Sequence, residues 1–175
     1  MSMNRRDLES LLLTLESTPV LLVRAAETLS DSQVRREPAG GGFSFIEHVW
    51  HLADLEREGF GARIRRILCE DEPMLADFDG ERIARERNYS RLDLADGLAA
   101  FAVARSRNVR KLRSVHSAEL WRRRGTQEGV GRIALEDIPR MMTEHDRAHT
   151  AEVGDLLAHV KEGRPFRPHL ASAVA

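Results

Sequence analysis

The stretch from Met141 to Leu157, MMTEHDRAHTAEVGDLL, holds the residues best suited to chemistry. His145 and His149 stand four positions apart, and Glu152 follows three later. On an α-helix, side chains at three- and four-residue spacing lie one above another. Two imidazoles and a carboxylate so placed can chelate one divalent cation. With Ile138 at zero on a helical wheel, Leu156 falls at about 0°, Met142 at about 40° and Met141 at about 300°. His145 falls at about 340°, His149 at about 20° and Glu152 at about 320°. All three polar groups therefore sit inside the apolar arc, while Arg140, Arg147 and Ala151 face the other way. A buried imidazole needs a hydrogen bond and a buried carboxylate needs a counter-charge. A bound cation meets both needs, and a core polar network bonded to other helices is the alternative. The zincin motif is excluded, because Asp146 rather than a glutamate follows His145, and Asp146 is expected to point elsewhere.

A metal needs a third ligand from another helix. EHVWHLADLE, residues 47–56, offers His48 and His51. A wheel centred on the apolar stripe of that segment places His48 about 120° and His51 about 180° away. Both are thus expected to be exposed, with His48 slightly favoured as the ligand. His116 and His159 read as surface residues, and His169 lies near the C-terminus. The residues alone give two ligands and leave the third open. Asp54, Glu56 and Glu58 are expected at the surface, as most acids are. Glu152 is the candidate general base, or the carboxylate that orients a ligand histidine. No Ser-His-Asp or Cys-His arrangement stands out, and no glycine-rich phosphate loop follows a strand.

Helices must position these groups. Leu8, Leu11, Leu12 and Leu15 predict helix one over residues 4–29, with Pro19 kinking or restarting it. REPAGGG (36–42) is a loop by composition. Ser44 with Glu47 forms a capping-box pattern that opens helix two, which runs to about Glu70 along Phe45, Val49, Leu52, Ala53, Phe60, Ile64 and Ile67. Residues 71–90 form a long polar connection with Pro73 and Gly80. Ser90 and Asp93 form a further capping pair, and helix three follows with Leu94, Leu98, Phe101 and Leu112. RRRGTQEGVGR (122–132) is a glycine-containing loop. Helix four runs from about Leu135 to Val160, with Pro139 tolerated in its first turn. No strand is expected. The reading is an all-α four-helix bundle with one long crossover between helices two and three, a single domain over residues 1–163, and a C-terminal tail over 164–175.

The chain has 175 residues, of which 42% are hydrophobic, enough for one domain with a core. Its 28 acidic and 27 basic residues nearly cancel, so no global field draws it to nucleic acid or to a membrane surface. The basic runs RIRR (63–66) and RRR (122–124) read as solvated faces. The single cysteine, Cys69, excludes an intramolecular disulfide, points to a reducing compartment and is expected to serve packing. The N-terminus lacks the apolar stretch of a signal peptide, and no apolar run approaches the roughly 20 residues that span a bilayer. A soluble cytoplasmic protein is expected.

GGFSFIEHVWHLADLE (41–56) resembles the start of helix two in the DinB/YfiT-like family of metalloenzymes, with its aromatic, its Ser or Thr cap, a short spacer and His-Leu/Ile-Ala-Asp. HDRAHTAEV (145–153) resembles that family's last-helix motif. The resemblance spans almost the whole chain in order, including the proline in helix one and the long connection after helix two. It implies an up-down-down-up bundle with a metal held by three histidines. Carried over residue by residue, the ligands are His51, His145 and His149. Glu152 departs from the pattern, since glutamine is frequent there. The resemblance also implies a homodimer and a divalent metal, with zinc or nickel foremost and iron also compatible. For activity it implies S-transfer of a low-molecular-weight thiol, such as bacillithiol or in a related branch mycothiol, to an electrophilic small-molecule substrate. A metal-dependent hydrolase using a metal-bound hydroxide is the alternative, and a non-enzymatic, stress-related protein with a structural metal is a third.

Overall fold

The computed structural model describes residues 4–162, with the exception of residue 39. Asn4 opens the first helix, α1 (Arg5–Ala26), by accepting the Asp7 amide at 2.9 Å. Pro19 lies within α1, and the helix runs on through it rather than restarting. The proline has no N–H to give to the Leu15 carbonyl one turn back. Arg105 Nη1 donates to that carbonyl instead, at 3.0 Å. A short turn, α2 (Asp31–Val34), precedes the second long element. There the Glu47 carboxylate accepts both the Ser44 amide, at 2.9 Å, and the Ser44 hydroxyl, at 2.6 Å. This capping box starts α3 (Phe45–Asp54), which continues through a π-helical segment (Leu55–Phe60) into α4 (Gly61–Cys69).

The polar connection then carries β1 (Met74–Leu75) and α5 (Gly80–Arg87). Asp93 accepts the Asp96 amide at 3.0 Å to start α6 (Leu94–Arg113). After α7 (Ala118–Trp121), residues expected to form only a loop build a hairpin of β2 (Arg124–Gln127) and β3 (Gly131–Ala134). The hairpin is antiparallel, from Arg124 opposite Ala134 to Gln127 opposite Gly131, and β1 joins β2 in parallel. Gly129 and Gly131 turn it with φ of 74° and 99°, values that suit glycine. Strands of four and two residues are too short to show an alternating pattern, which is why the sequence hid them. The chain ends its described part in α8 (Ile138–Glu162).

α1 packs against α6 and α8, and the α3–α4 rod packs against the same two helices. Two apolar clusters give the directions. One joins Leu12, Ile64, Leu112 and Met142, and the other joins Leu22, Val49, Phe101 and Val153. Numbers rise from the first to the second along α1 and α8, and fall along the rod and α6. The bundle is therefore up-down-down-up, with the crossover spanning helices two and three of the four. Cys69 is exposed, so the expected packing role does not apply. Among the described residues no helix is long and apolar enough to cross a membrane. The predicted tail, 164–175, and its His169 lie outside the described residues.

Candidate metal centre

Antiparallel packing sets the middle of α3 beside the middle of α8. His145 Nε2 lies 3.2 Å from His149 Nε2 and 3.4 Å from His51 Nε2. A four-coordinate ion with metal–nitrogen bonds of about 2.0–2.1 Å holds its ligand nitrogens about 3.3–3.4 Å apart. Two of the trio's three edges already have about that length, and the three residues offer ligand atoms that all lie within 4.8 Å of one another. A neutral imidazole carries one N–H, so three rings whose Nε2 atoms converge cannot all satisfy one another, whereas one cation accepts all three lone pairs. Burial pushes His51 and His145 toward the neutral form that ligates. It takes His51 down to about 2 and His145 down to about 3, and the neighbouring imidazoles add to the effect.

Glu152 stands behind the trio. Its Oε2 lies 3.1 Å from His149 Nδ1, and this contact holds the Glu152 carboxyl below its ordinary range. A proton on His149 Nδ1, donated to Glu152, leaves Nε2 as the lone-pair nitrogen. His48 Nδ1 lies 2.9 Å from the same His149 nitrogen, and in that tautomer it would be a second acceptor for the proton. His48, His149 and Glu152 also have donor atoms within 4.8 Å of one another, but they would use the other nitrogen of His149. The Nδ1 atoms of His51 and His145 are buried without a partner among the described residues. Of the three converging rings, His149 alone has a carboxylate behind it.

The wheel was wrong about both helix-two histidines. His48 is 3% and His51 7% exposed. The crossover covers the side of α3 that the wheel gave to solvent. Phe78 and Phe43 lie 5.9 and 5.2 Å from the His51 ring, and Gly80 at the start of α5 abuts it. A Cβ at position 80 would lie 2.4 Å from His51 Cε1 and 2.6 Å from Nδ1, so only glycine lets α5 close over the ring. The π-helical segment misled the wheel further, because the apolar stripe was averaged across its extra residue.

The sequence profile of the DinB superfamily matches residues 14–153. The chain belongs to the DinB superfamily. A protein of Bacillus subtilis (strain 168) named "Putative metal-dependent hydrolase YfiT" is 23% identical over 155 residues, 89% of this chain and 86% of that protein. A "Putative metal-dependent hydrolase" of Geobacillus thermodenitrificans (strain NG80-2) is 24% identical over 150 residues, 86% of this chain and 84% of that one. The solved structure described as "YfiT from Bacillus subtilis is a probable metal-dependent hydrolase with an unusual four-helix bundle topology" matches with a TM-score of 0.83 and 23% identity, over 93% of this chain and 91% of that one. This likeness shows the fold.

In this DinB bundle a second buried polar layer lies one residue along α8. Arg105 donates to Asp146 Oδ2 at 2.6 Å and Oδ1 at 2.8 Å, and pairs with Glu56 Oε2 at 3.0 Å. Thr18 donates to Asp146 at 2.6 Å, and Asn108 to the Glu56 side chain at 3.0 Å. Asp146 does point away from the histidines, as expected, but into the core. Glu56 and Asp54 are buried too, against the surface expectation. Asp54 accepts from the Tyr89 hydroxyl at 2.6 Å and from Arg57 at 2.7 Å, and Arg87 completes its partners. Glu58 is exposed as expected. Arg105 and Asn108 follow Phe101 at four and seven positions, so their inward placement was readable from the stripe.

A cavity of about 530 Å³ opens onto His51, His145, His149 and Glu152. Phe43, Phe60 and Phe78 wall it. Arg63, expected on a solvated face, is 5% exposed and lines the same cavity. Arg65 of the same basic run is exposed. Its volume is in the range of small-molecule sites.

Proposed function

We propose that the chain is a metal-dependent enzyme that holds a divalent ion on His51, His145 and His149 and hydrolyses a small substrate bound in the adjoining cavity. The convergence of three histidines, with His145 Nε2 at about tetrahedral-edge spacing from both His51 Nε2 and His149 Nε2 on the wall of that cavity, supports the reading. An ion there would lower the pKa of a water or thiol and polarise an electrophile. Three imidazoles suit zinc, nickel and iron alike. Structural zinc sites use four protein ligands. Here the nearest carboxylate, Glu152, faces His149 Nδ1 instead, which favours an open position over a strap between helices.

The chain's own residues have separable roles. Glu152 and His48 hold the His149 proton on Nδ1. Gly80 and Phe78 keep the His51 ring in place. Phe43, Phe60 and Phe78 exclude water from the substrate. The names of the relatives support hydrolysis. Transfer of a low-molecular-weight thiol is the second reading, favoured by one observation: Glu152 is already engaged with His149, and a thiol ionises with less help from a base than water does.

The test incubates zinc- and nickel-loaded protein with a p-nitrophenyl ester alone, and with a chromogenic haloarene plus a panel of small thiols. Ester turnover without thiol, lost in His51→Ala together with the metal, is the expected result. Turnover confined to the thiol arm would select the second reading. Stoichiometric metal retained by His51→Ala would overturn the ligand set.

A further inference from the structure

Arg63 is the one Lys or Arg among the described residues lining the cavity. Its partners are few for a cation buried to this degree. Its Nε has no hydrogen-bond partner among the described residues, and its ion pair with Asp77 Oδ1 is long, at 3.9 Å. Asp77 itself is 38% exposed, against 5% for Arg63. Phe60 lies 5.6 Å from the guanidinium carbon, face on. A desolvated guanidinium this poorly matched contrasts with Arg105, whose buried charge meets two carboxylates. Burial holds the Arg63 pKa below its ordinary value, with Asp77 opposing only in part.

The π-helical segment explains how Arg63 comes to face the same space as His51. Twelve α-helical residues would turn it about 120° from His51. One extra residue absorbed in the π turn brings that to about 20°.

We propose that Arg63 is the binding subsite for a carboxylate on the substrate, and that the ligand is a small aryl or alkyl carboxylic acid whose apolar body lies on Phe43, Phe60 and Phe78. The guanidinium fork matches a carboxylate in two hydrogen bonds. Asp77 occupies the fork loosely and swings to solvent when the ligand enters. This inference rests on the cavity being the active site. It extends that reading by giving the substrate a charge.

The test titrates the full chain, stripped of metal by a chelator, with benzoate and with its neutral counterpart benzamide, by calorimetry. Benzoate is expected to bind about tenfold more tightly or better, the size of a charge-assisted hydrogen bond. Arg63→Met removes the preference while the far-ultraviolet circular dichroism stays unchanged. Asp77→Asn, which removes the competitor, raises benzoate affinity severalfold and carries the test if Arg63→Met does not fold. Equal binding of the two probes, a preference that survives Arg63→Met, or an Asp77→Asn protein that melts earlier without gaining affinity would overturn the subsite. Metal is measured separately. Failure of the wild-type chain to take up zinc or nickel, with the benzoate preference intact, would sink the metal reading and leave the subsite standing.

Discussion

Two buried polar layers meet on α8 at consecutive residues, and they are built in opposite ways. The layer of Asp146 is closed in charge, with carboxylates and guanidinium paired. Arg105 faces two carboxylates, Thr18 and Asn108 donate to them, and the spare Leu15 carbonyl above Pro19 is also filled. The layer of His145 is open. Three ring nitrogens converge, two further ring nitrogens lack partners, and a cavity adjoins them. A nearly saturated polar layer ties helices together, because its charged groups find their counter-charges within the protein and Arg105 Nε alone of its side-chain atoms lacks a hydrogen-bond partner among the described residues. An unsaturated one leaves its partner to come from outside. The neighbourhood is economical: the closed layer fixes the rotation of α8, and that rotation aims His145 and His149.

The largest effect comes from breaking the closed layer. Arg105→Met leaves Glu56 and Asp146 buried without their cation, at a cost of about 3–5 kcal/mol. Denaturant unfolding of the metal-free protein measures it. His145→Ala in the open layer should cost under about 1–2 kcal/mol under the same conditions, within the range of ordinary substitutions. Equal costs would erase the contrast.

Next comes the ion itself. A ligand held only by the folded state stabilises it by about 4 kcal/mol at a thousandfold excess over its Kd. Wild-type protein should therefore gain several degrees of Tm with zinc or nickel. His51→Ala and His149→Ala should gain nothing, while Thr18→Val, a change in the closed layer, should keep the full gain. A smaller effect is expected from Glu152→Ala. Loss of the carboxylate behind a ligand histidine lowers metal affinity about 10- to 100-fold. Glu152→Gln keeps an acceptor for the His149 proton and should fall between the two, read by competition with a chromogenic chelator.

The sequence made the open layer partly legible and the closed one hardly at all. His145, His149 and Glu152 could be placed because α8 is regular over its length and shows one apolar arc. His51 could be placed only through the resemblance of its motif. Its helix is covered on several sides by α5, α6 and α8, so no apolar stripe separates inside from outside. The π-helical segment then shifts everything after Phe60, and Arg63 passed for a surface residue. The closed layer depends on pairings over long separations, such as Thr18 with Asp146 and Asn108 with Glu56. Local spacing carries no trace of a partner 128 residues away. The hairpin and α5 were missed for a related reason, since they are short pieces held by what they cover.

The last prediction is a pH slope, read per histidine, and its response to substitution separates the layers. His48, His51 and His145 are held down to about 3, 2 and 3 in the folded chain, mainly by burial. An unfolded histidine titrates near about 6.5. Between those values the unfolded chain takes up protons that the folded chain refuses. Metal-free stability is therefore full above about pH 6.5 and declines as pH falls below it, by up to about 1.4 kcal/mol per pH unit for each histidine. Unfolding free energies between pH 8 and pH 5 measure the slope. His51→Ala removes one such proton and should flatten the curve by that amount. Thr18→Val shifts the curve down without changing its slope, because a hydroxyl does not titrate there. A slope that Thr18→Val flattens and His51→Ala leaves alone would mean that the closed layer, and not the open one, carries the strained protonation.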